Sequence, residues 1–288
     1  MAAAFVAAVL AAGGCFNAAM AGDLDFRLNG SGVLFEGDAV EGFRPNNARF
    51  RDLVTQLGFV IAPRMSAPAD TLGHAGFHVS AMWSGSFVSA DEAYWRVTEV
   101  GQRGGTPPDL MQTLQLDVRK GLPLSFEVGV NFMWLADSEM FAPGLEIRWA
   151  LHEGYRMFPD IAIRGAVNHL VGNRDLSLTT VGADLTLSKD LGIADMMSLT
   201  PYVGWSLIFI NASSRVVDPT PNDDGDVINN FVFDNVNAAD NINHRVTAGL
   251  RMLYHVVNIS VQGEFQVLDD YTSGDGVITI TTKLGLDF

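Results

Sequence analysis

The residues of this chain that could do chemistry are few beyond its charges: six histidines, one cysteine, 33 acidic and 18 basic side chains. Ester hydrolysis needs a Ser–His pair oriented by a third group. His169 is a candidate base, but no Ser-Asn-Gly-type nucleophile motif accompanies it, and neither Gly-x-Ser-x-Gly nor His-Glu-x-x-His occurs. His74 and His78 share a side, yet four strand residues would separate them by ~13 Å, too far to share a metal. Asn222-Asp223-Asp224-Gly225-Asp226 resembles part of a calcium loop, but Thr220 and Phe231 fill the first and last ligand positions. This sequence therefore reads as a solvated turn, with weak divalent-cation binding left open. No catalytic residue, resident metal or cofactor is expected.

The remaining chemistry lies in charges placed at every second residue. Arg119, Glu127, Glu146, Arg148, Arg164, Asp184, Arg245, Arg251 and Glu264 each interrupt a row of Leu, Val, Ile and Phe at alternate positions. In Leu124–Trp134 the even positions are apolar, while the odd ones hold Ser125, Glu127, Gly129, Asn131 and Met133. Successive strand side chains point to opposite faces, so the segment has one apolar and one mostly polar face. A helix of this pattern would spread its apolar residues around the whole cylinder.

The same pattern recurs at 145–151, 161–168, 181–188, 245–254 and 259–267. Weaker examples are 24–35, 53–62, 73–83, 112–119, 199–210 and 276–288. Strands of ~9–11 residues span a bilayer when tilted, whereas soluble strands average nearer 5–6. The pattern predicts an all-β, antiparallel transmembrane barrel of about twelve strands, within a range of 10–14. Alternate connections then fall on opposite sides, and the long ones (36–52, 84–111, 211–243) share the outer side. A change of apolar phase between Leu178 and Val181 predicts a bulge or an early strand end.

Composition agrees with export and argues against nucleic acid. The net charge is -15, and no Lys/Arg cluster is present to meet a phosphate backbone. Residues 1–21 read as a signal peptide, uncharged and ending Ala19-Met20-Ala21, although no basic residue precedes the apolar run. Lipidation at Cys15, after Gly13-Gly14, is a competing reading. Cleavage after Ala21 would leave no thiol for a disulfide or metal site. Residues 22–288 form one domain in this reading.

The C-terminus places Ile278, Ile280, Thr282, Leu284, Leu286 and Phe288 at alternate positions. This resembles the last-strand signature of bacterial outer-membrane β-barrel proteins, the porin-like class. The resemblance implies an outer-membrane location, lipid as surroundings, and recognition of Phe288 by barrel-assembly machinery. Trp83, Trp134, Phe209 and Phe265 near the outer interface, with Trp149, Tyr254 and Phe288 near the inner one, would form two aromatic girdles.

Two functions follow as expectations. The nine inward charges make a polar lumen, and a twelve-stranded barrel has a backbone diameter of roughly 24 Å. That suits a narrow channel passing small hydrophilic solutes. Most of the excess acid lies in the outer loops, including Asp218, Asp223, Asp224, Asp226, Asp234 and Asp240. These would attract cations to the mouth. The alternative is a structural or surface-interaction barrel that binds a partner through its long loops.

Overall fold

A computed structural model describes residues 22–29, 32–37, 43–65, 67–155, 157–194, 197–219, 230–267 and 276–288. A two-residue ladder pairs β1 (Phe35–Glu36) with β2 (Arg44–Pro45). Helix α1 (Asn47–Ile61) follows. Then come β3 (Phe77–Phe87), β4 (Leu110–Leu122), β5 (Phe126–Leu135), β6 (Phe141–His152), β7 (Asp160–His169) and β8 (Leu176–Ser188). The last elements are β9 (Leu191–Ala194), β10 (Met197–Ser214), β11 (Ile242–Tyr254), β12 (Val257–Val267) and β13 (Ile278–Asp287).

Ten of these strands, β3 to β8 and β10 to β13, form one antiparallel ring. The ring closes where β13 pairs with β3, from Phe87↔Ile278 to His78↔Asp287. Phe288 extends this seam, exchanging backbone hydrogen bonds of 2.9 and 2.8 Å with Phe77. The short β9 pairs only with the first residues of β10, outside the ring. Successive connections alternate between the two ends of the barrel. The segments 88–109, 215–219 and 230–241 lie at one end, the loop end, and the tight turns at 123–125 and 255–256 lie at the other, the turn end.

Period-two chemistry explains the two faces. Val128, Val130 and Phe132 on β5, Leu145 and Ile147 on β6, and Val261 and Phe265 on β12 stand exposed on the outside. Their neighbours Glu127, Asn131, Glu146 and Glu264 are buried inside. An apolar belt running around a whole barrel is far larger than a soluble monomer tolerates, and it matches a lipid-facing surface. Trp134 lies towards the loop end, its ring N–H donating to the Ser138 carbonyl at 2.9 Å. Trp149 stacks on Phe126 at the turn end.

Two of the twelve segments expected as strands are not part of the ring. Residues 53–61 lie within α1, with Ala62 at its C-cap; residues 24–29 form an extended strap across the loops, and Phe35 pairs with Pro45 beside the helix start. The helix is set by its ends. Asn46 caps it by accepting from the Arg49 backbone N–H at 3.0 Å, and Pro63 prevents its continuation. Its body carries an apolar stripe, Phe50, Leu53, Val54, Leu57 and Ile61, and burial extends beyond the stripe to Thr55, Gln56 and Gly58. The strap does alternate, with Leu24, Phe26 and Leu28 buried, but its partners are loops. Leu24 N–H donates to the Asp137 carbonyl and Arg27 N–H to the Val97 carbonyl. The bulge expected near Leu178 does not form either. Strand β8 keeps a regular register with both neighbours, and Leu176 and Leu178 point inward because the lumen is apolar there.

Candidate functional site

The lumen holds the chain's own N-terminal segment. Ten strands tilted ~40° enclose a backbone diameter of roughly 20 Å, leaving about 10 Å between opposite side chains. A helix is ~10–12 Å across, so α1 fits only where the contact residues are small. A Cβ on Gly58 of the helix would lie 2.7 Å from Ile210 Cδ1. A Cβ on Gly204 of β10 would lie 2.2 Å from Met65 Cε. At both positions a side chain could be added only if the facing Ile210 or Met65 side chain moved.

At the loop end the packing is apolar. Phe50, Leu53, Leu57 and Ile61 meet Met111, Met133, Leu178, Ile208 and Ile210 of the wall in one buried cluster. Phe50 stacks on Phe233 at 4.6 Å, and Trp95 covers the group while donating to Gln56 at 2.8 Å. Asp234 accepts from the Asn47 side chain at 2.5 Å, and its backbone N–H donates to Asn47 in return. A carboxylate thus sits at the positive end of the helix.

Below the helix the packing is ionic. Arg64, wholly buried, pairs with Glu264 at 2.9 Å, and Glu264 also takes Arg245 at 3.0 Å. Arg245 reaches Asp184 at 3.9 Å, Arg164 joins Asp184 at 2.5 Å and Glu146 at 2.8 Å. Arg119 continues the chain to Glu146 at 3.8 Å and Glu127 at 3.3 Å, and Arg148 approaches Glu127 at 3.7 Å. Arg251 pairs with Asp70 of the threaded segment at 2.7 Å. The structure therefore joins the nine inward residues singled out from the sequence to two residues of the segment, Arg64 and Asp70.

Several of these cations have a second task. The last carbonyls of a helix lack intrahelical donors. Here Val60 O accepts from Arg64 at 2.8 Å, Ile61 O from Asn168 at 2.8 Å, and Pro63 O from Arg245 at 2.6 Å. Arg164 donates to the Arg64 carbonyl. Guanidinium groups at the negative end of a helix are favourable for the same dipole reason. Arg64, Asp70 and Asn168 were missed because nothing in the sequence says that 46–72 threads a barrel. Arg64, a lone cation after Ile61-Ala62-Pro63, is the one trace of it.

The other positions are scattered. Asp218 and Asp240 lie in the loop-end connection, and Asp223, Asp224 and Asp226 lie outside the described residues, as do residues 1–21, expected as a signal peptide, with Cys15 among them. His78 is buried in the lumen wall, in contact with Asp287, whereas His74 is exposed in the turn before β3. His169 points outward and meets the Thr179 hydroxyl at 2.8 Å.

No family model and no curated protein matches the chain. Solved structures do resemble it in fold, all at low identity. The N-terminal β-barrel domain of Pseudomonas aeruginosa OprF is 12% identical, with a TM-score of 0.34, covering 75% of this chain and 99% of that one. An outer membrane channel from Pseudomonas putida F1 is 8% identical, with a TM-score of 0.38, covering 78% and 100%. Ail, the attachment invasion locus protein of Yersinia pestis, is 14% identical, with a TM-score of 0.28, covering 75% and 99%. From its closed ring, apolar belt and polar interior, the chain has the fold of an outer-membrane β-barrel, here with ten strands and a lumen filled by its own N-terminal segment.

Proposed function

We propose that this protein is an outer-membrane barrel held shut by residues 46–72, whose working surface is the loop end. The observation that carries this reading is the continuous filling of the lumen, by apolar packing around α1 and by the ion-pair chain below it. Such a barrel would not pass solutes by free diffusion while the segment is in place. The strap at 22–29 supports a surface role, because it laces the loops into one platform. Leu28 N–H donates to Asp175 at 3.0 Å, and the Asn173 side chain donates to the Phe26 carbonyl at 3.0 Å. A braced platform suits the binding of a partner, since less loop entropy is lost on contact.

The channel reading has one observation in its favour: the wall facing 63–72 is polar and could be wetted if the segment left. Planar-bilayer recording separates the two. The intact protein should be electrically silent, and deletion of 46–72 should give stable unit conductance. Discrete conductance from the intact protein would sink the closed-barrel proposal and favour a narrow channel for small hydrophilic solutes. Loop acids such as Asp218, Asp234 and Asp240 would then bias it towards cations.

A further inference from the structure

We infer that the outer wall at β7 and β8 seats one acyl chain of a phospholipid from the leaflet at the turn end. A groove of about 420 Å³ opens there on the lipid-facing surface. Gly165 and Ala183, paired across β7 and β8, form its floor, with Ile147 and Leu207 beside them on β6 and β10. The other outward side chains that line it are Phe126, Trp149, Ile163, Leu185 and Trp205. All five belong to the next hydrogen-bonded row on the turn-end side. The groove therefore runs from a pit over Gly165 and Ala183 towards the turn end.

The floor differs from the rest of the belt. Alternation turns three glycines of the described ring strands outward: Gly85, Gly165 and Gly263. A Cβ on Gly85 would meet the Trp83 ring at 3.2 Å, and one on Gly263 the Phe265 ring at 3.4 Å. Both are thus roofed by an aromatic neighbour, a common way to cover a glycine in a sheet. A Cβ on Gly165 would meet only Ile147 Cγ2, 3.9 Å away. Gly165 is left for the surroundings to cover, and at this height they are hydrocarbon. Gly165 and Ala183 each lie five residues from the turn-end limit of their strand. That is ~17 Å along the strand and ~13 Å of depth at a tilt of ~40°, close to the middle of a ~30 Å core.

Size, shape and charge favour a single acyl chain. At the ~30 Å³ of a water-sized group, 420 Å³ corresponds to about fourteen methylenes. Trp149 and Trp205 stand exposed on either side, so the convex wall of a second barrel would ride on their rings, whereas a flexible acyl chain passes between them. Beyond the foot of the groove, Lys189 follows Ala183, Leu185 and Leu187 in the outward column of β8, and its backbone N–H donates to the Pro201 carbonyl at 3.2 Å. Six residues from Ala183 are ~20 Å of strand and ~15 Å of depth, the thickness of one leaflet's hydrocarbon. Lys189 Nζ donates to the Tyr155 and Phe158 carbonyls at 2.7 and 2.8 Å. An ammonium has three donors, so one remains for a phosphate oxygen at headgroup level.

The test is native mass spectrometry of the full chain, released into mild detergent from bilayers of palmitoyl-oleoyl phosphatidylglycerol. One retained phospholipid per barrel is expected. Gly165→Phe and Ala183→Phe, which put a ring into the groove, should each lower the retained fraction more than tenfold. Val261→Phe, on the lipid face of β12, should leave it unchanged, and Lys189→Gln should lower it severalfold. Heat-modifiable gel mobility checks that each variant still forms the barrel. Absence of a retained phospholipid on the unaltered protein would overturn the site, whatever the variants do. Equal loss in Val261→Phe would overturn it too, by showing that the whole belt holds lipid alike. A two-chain mass that disappears in Gly165→Phe would assign the groove to a second copy instead. Unchanged retention in Lys189→Gln would overturn the headgroup placement.

Discussion

The two halves of the lumen hold the same threaded segment by opposite means. At the loop end a helix is gripped by apolar side chains, and its contacts are individually weak and non-directional. At the turn end an extended stretch is gripped by guanidinium and carboxylate groups, and each contact depends on its partner. Burial of apolar area contributes stability in proportion to the surface removed from water. A buried ion pair contributes little net stability, because desolvation offsets the attraction, yet it penalises every arrangement that separates its members. The apolar half thus supplies adhesion, while the ionic half fixes the depth to which the segment is inserted.

The largest effect that would test this contrast is Glu264→Ala. It leaves both Arg64 and Arg245 buried without their shared carboxylate. The expected loss is about 3–5 kcal/mol, read from urea unfolding of the reconstituted barrel. Replacing Arg64, Arg245 and Glu264 together by Met should recover much of it, and failure to recover would show that the group is adhesive after all. Leu57→Ala, in the apolar half, should cost ~2–5 kcal/mol through lost burial and the cavity left behind. Unlike the first loss, it should not be restored by any change in charge. A loss under about 1 kcal/mol would mean that the helix can shift to refill the space, contradicting a fixed depth. The smallest effect is Asn46→Ala, which removes the helix cap and should cost ~0.5–2 kcal/mol. Hydrogen exchange of the first turn of α1 should speed up while that of 63–72 is unchanged. Equal acceleration in both would indicate that the two halves act as one unit.

The strands were legible in the sequence because one face of each meets a uniform apolar medium. Val128, Leu145 and Val261 repeat every second residue without regard to what lies inside. The helix was missed for a different reason. Phe50, Leu53, Val54, Leu57 and Ile61 recur at helical spacing between Asn46 and Pro63, but the run 53–62 is short and apolar enough to pass for a strand when read by itself. Leu176 and Leu178 mark an apolar interior near the loop end, although the change of phase before Val181 by itself reads as a break in the strand. The inward direction of residues such as Arg164 and Arg245 follows from alternation alone. Their attachment to the Pro63 and Arg64 carbonyls just beyond the helix does not, because it depends on what fills the space between them.

The β13–β3 seam has a kinetic consequence. A closed ring of hydrogen-bonded strands has no side door, so residues 46–72 can enter or leave only lengthwise once Phe77 and Phe288 have paired. A fifteen-residue helix is about 22 Å long, and withdrawing it means sliding it that distance past Gly204 and the guanidiniums below. Laying the segment across the open sheet before the seam zips avoids that passage. A variant that delays zipping would trap an open sheet with its segment unthreaded, whereas one that weakens the segment's contacts would yield an empty ring that closes on time.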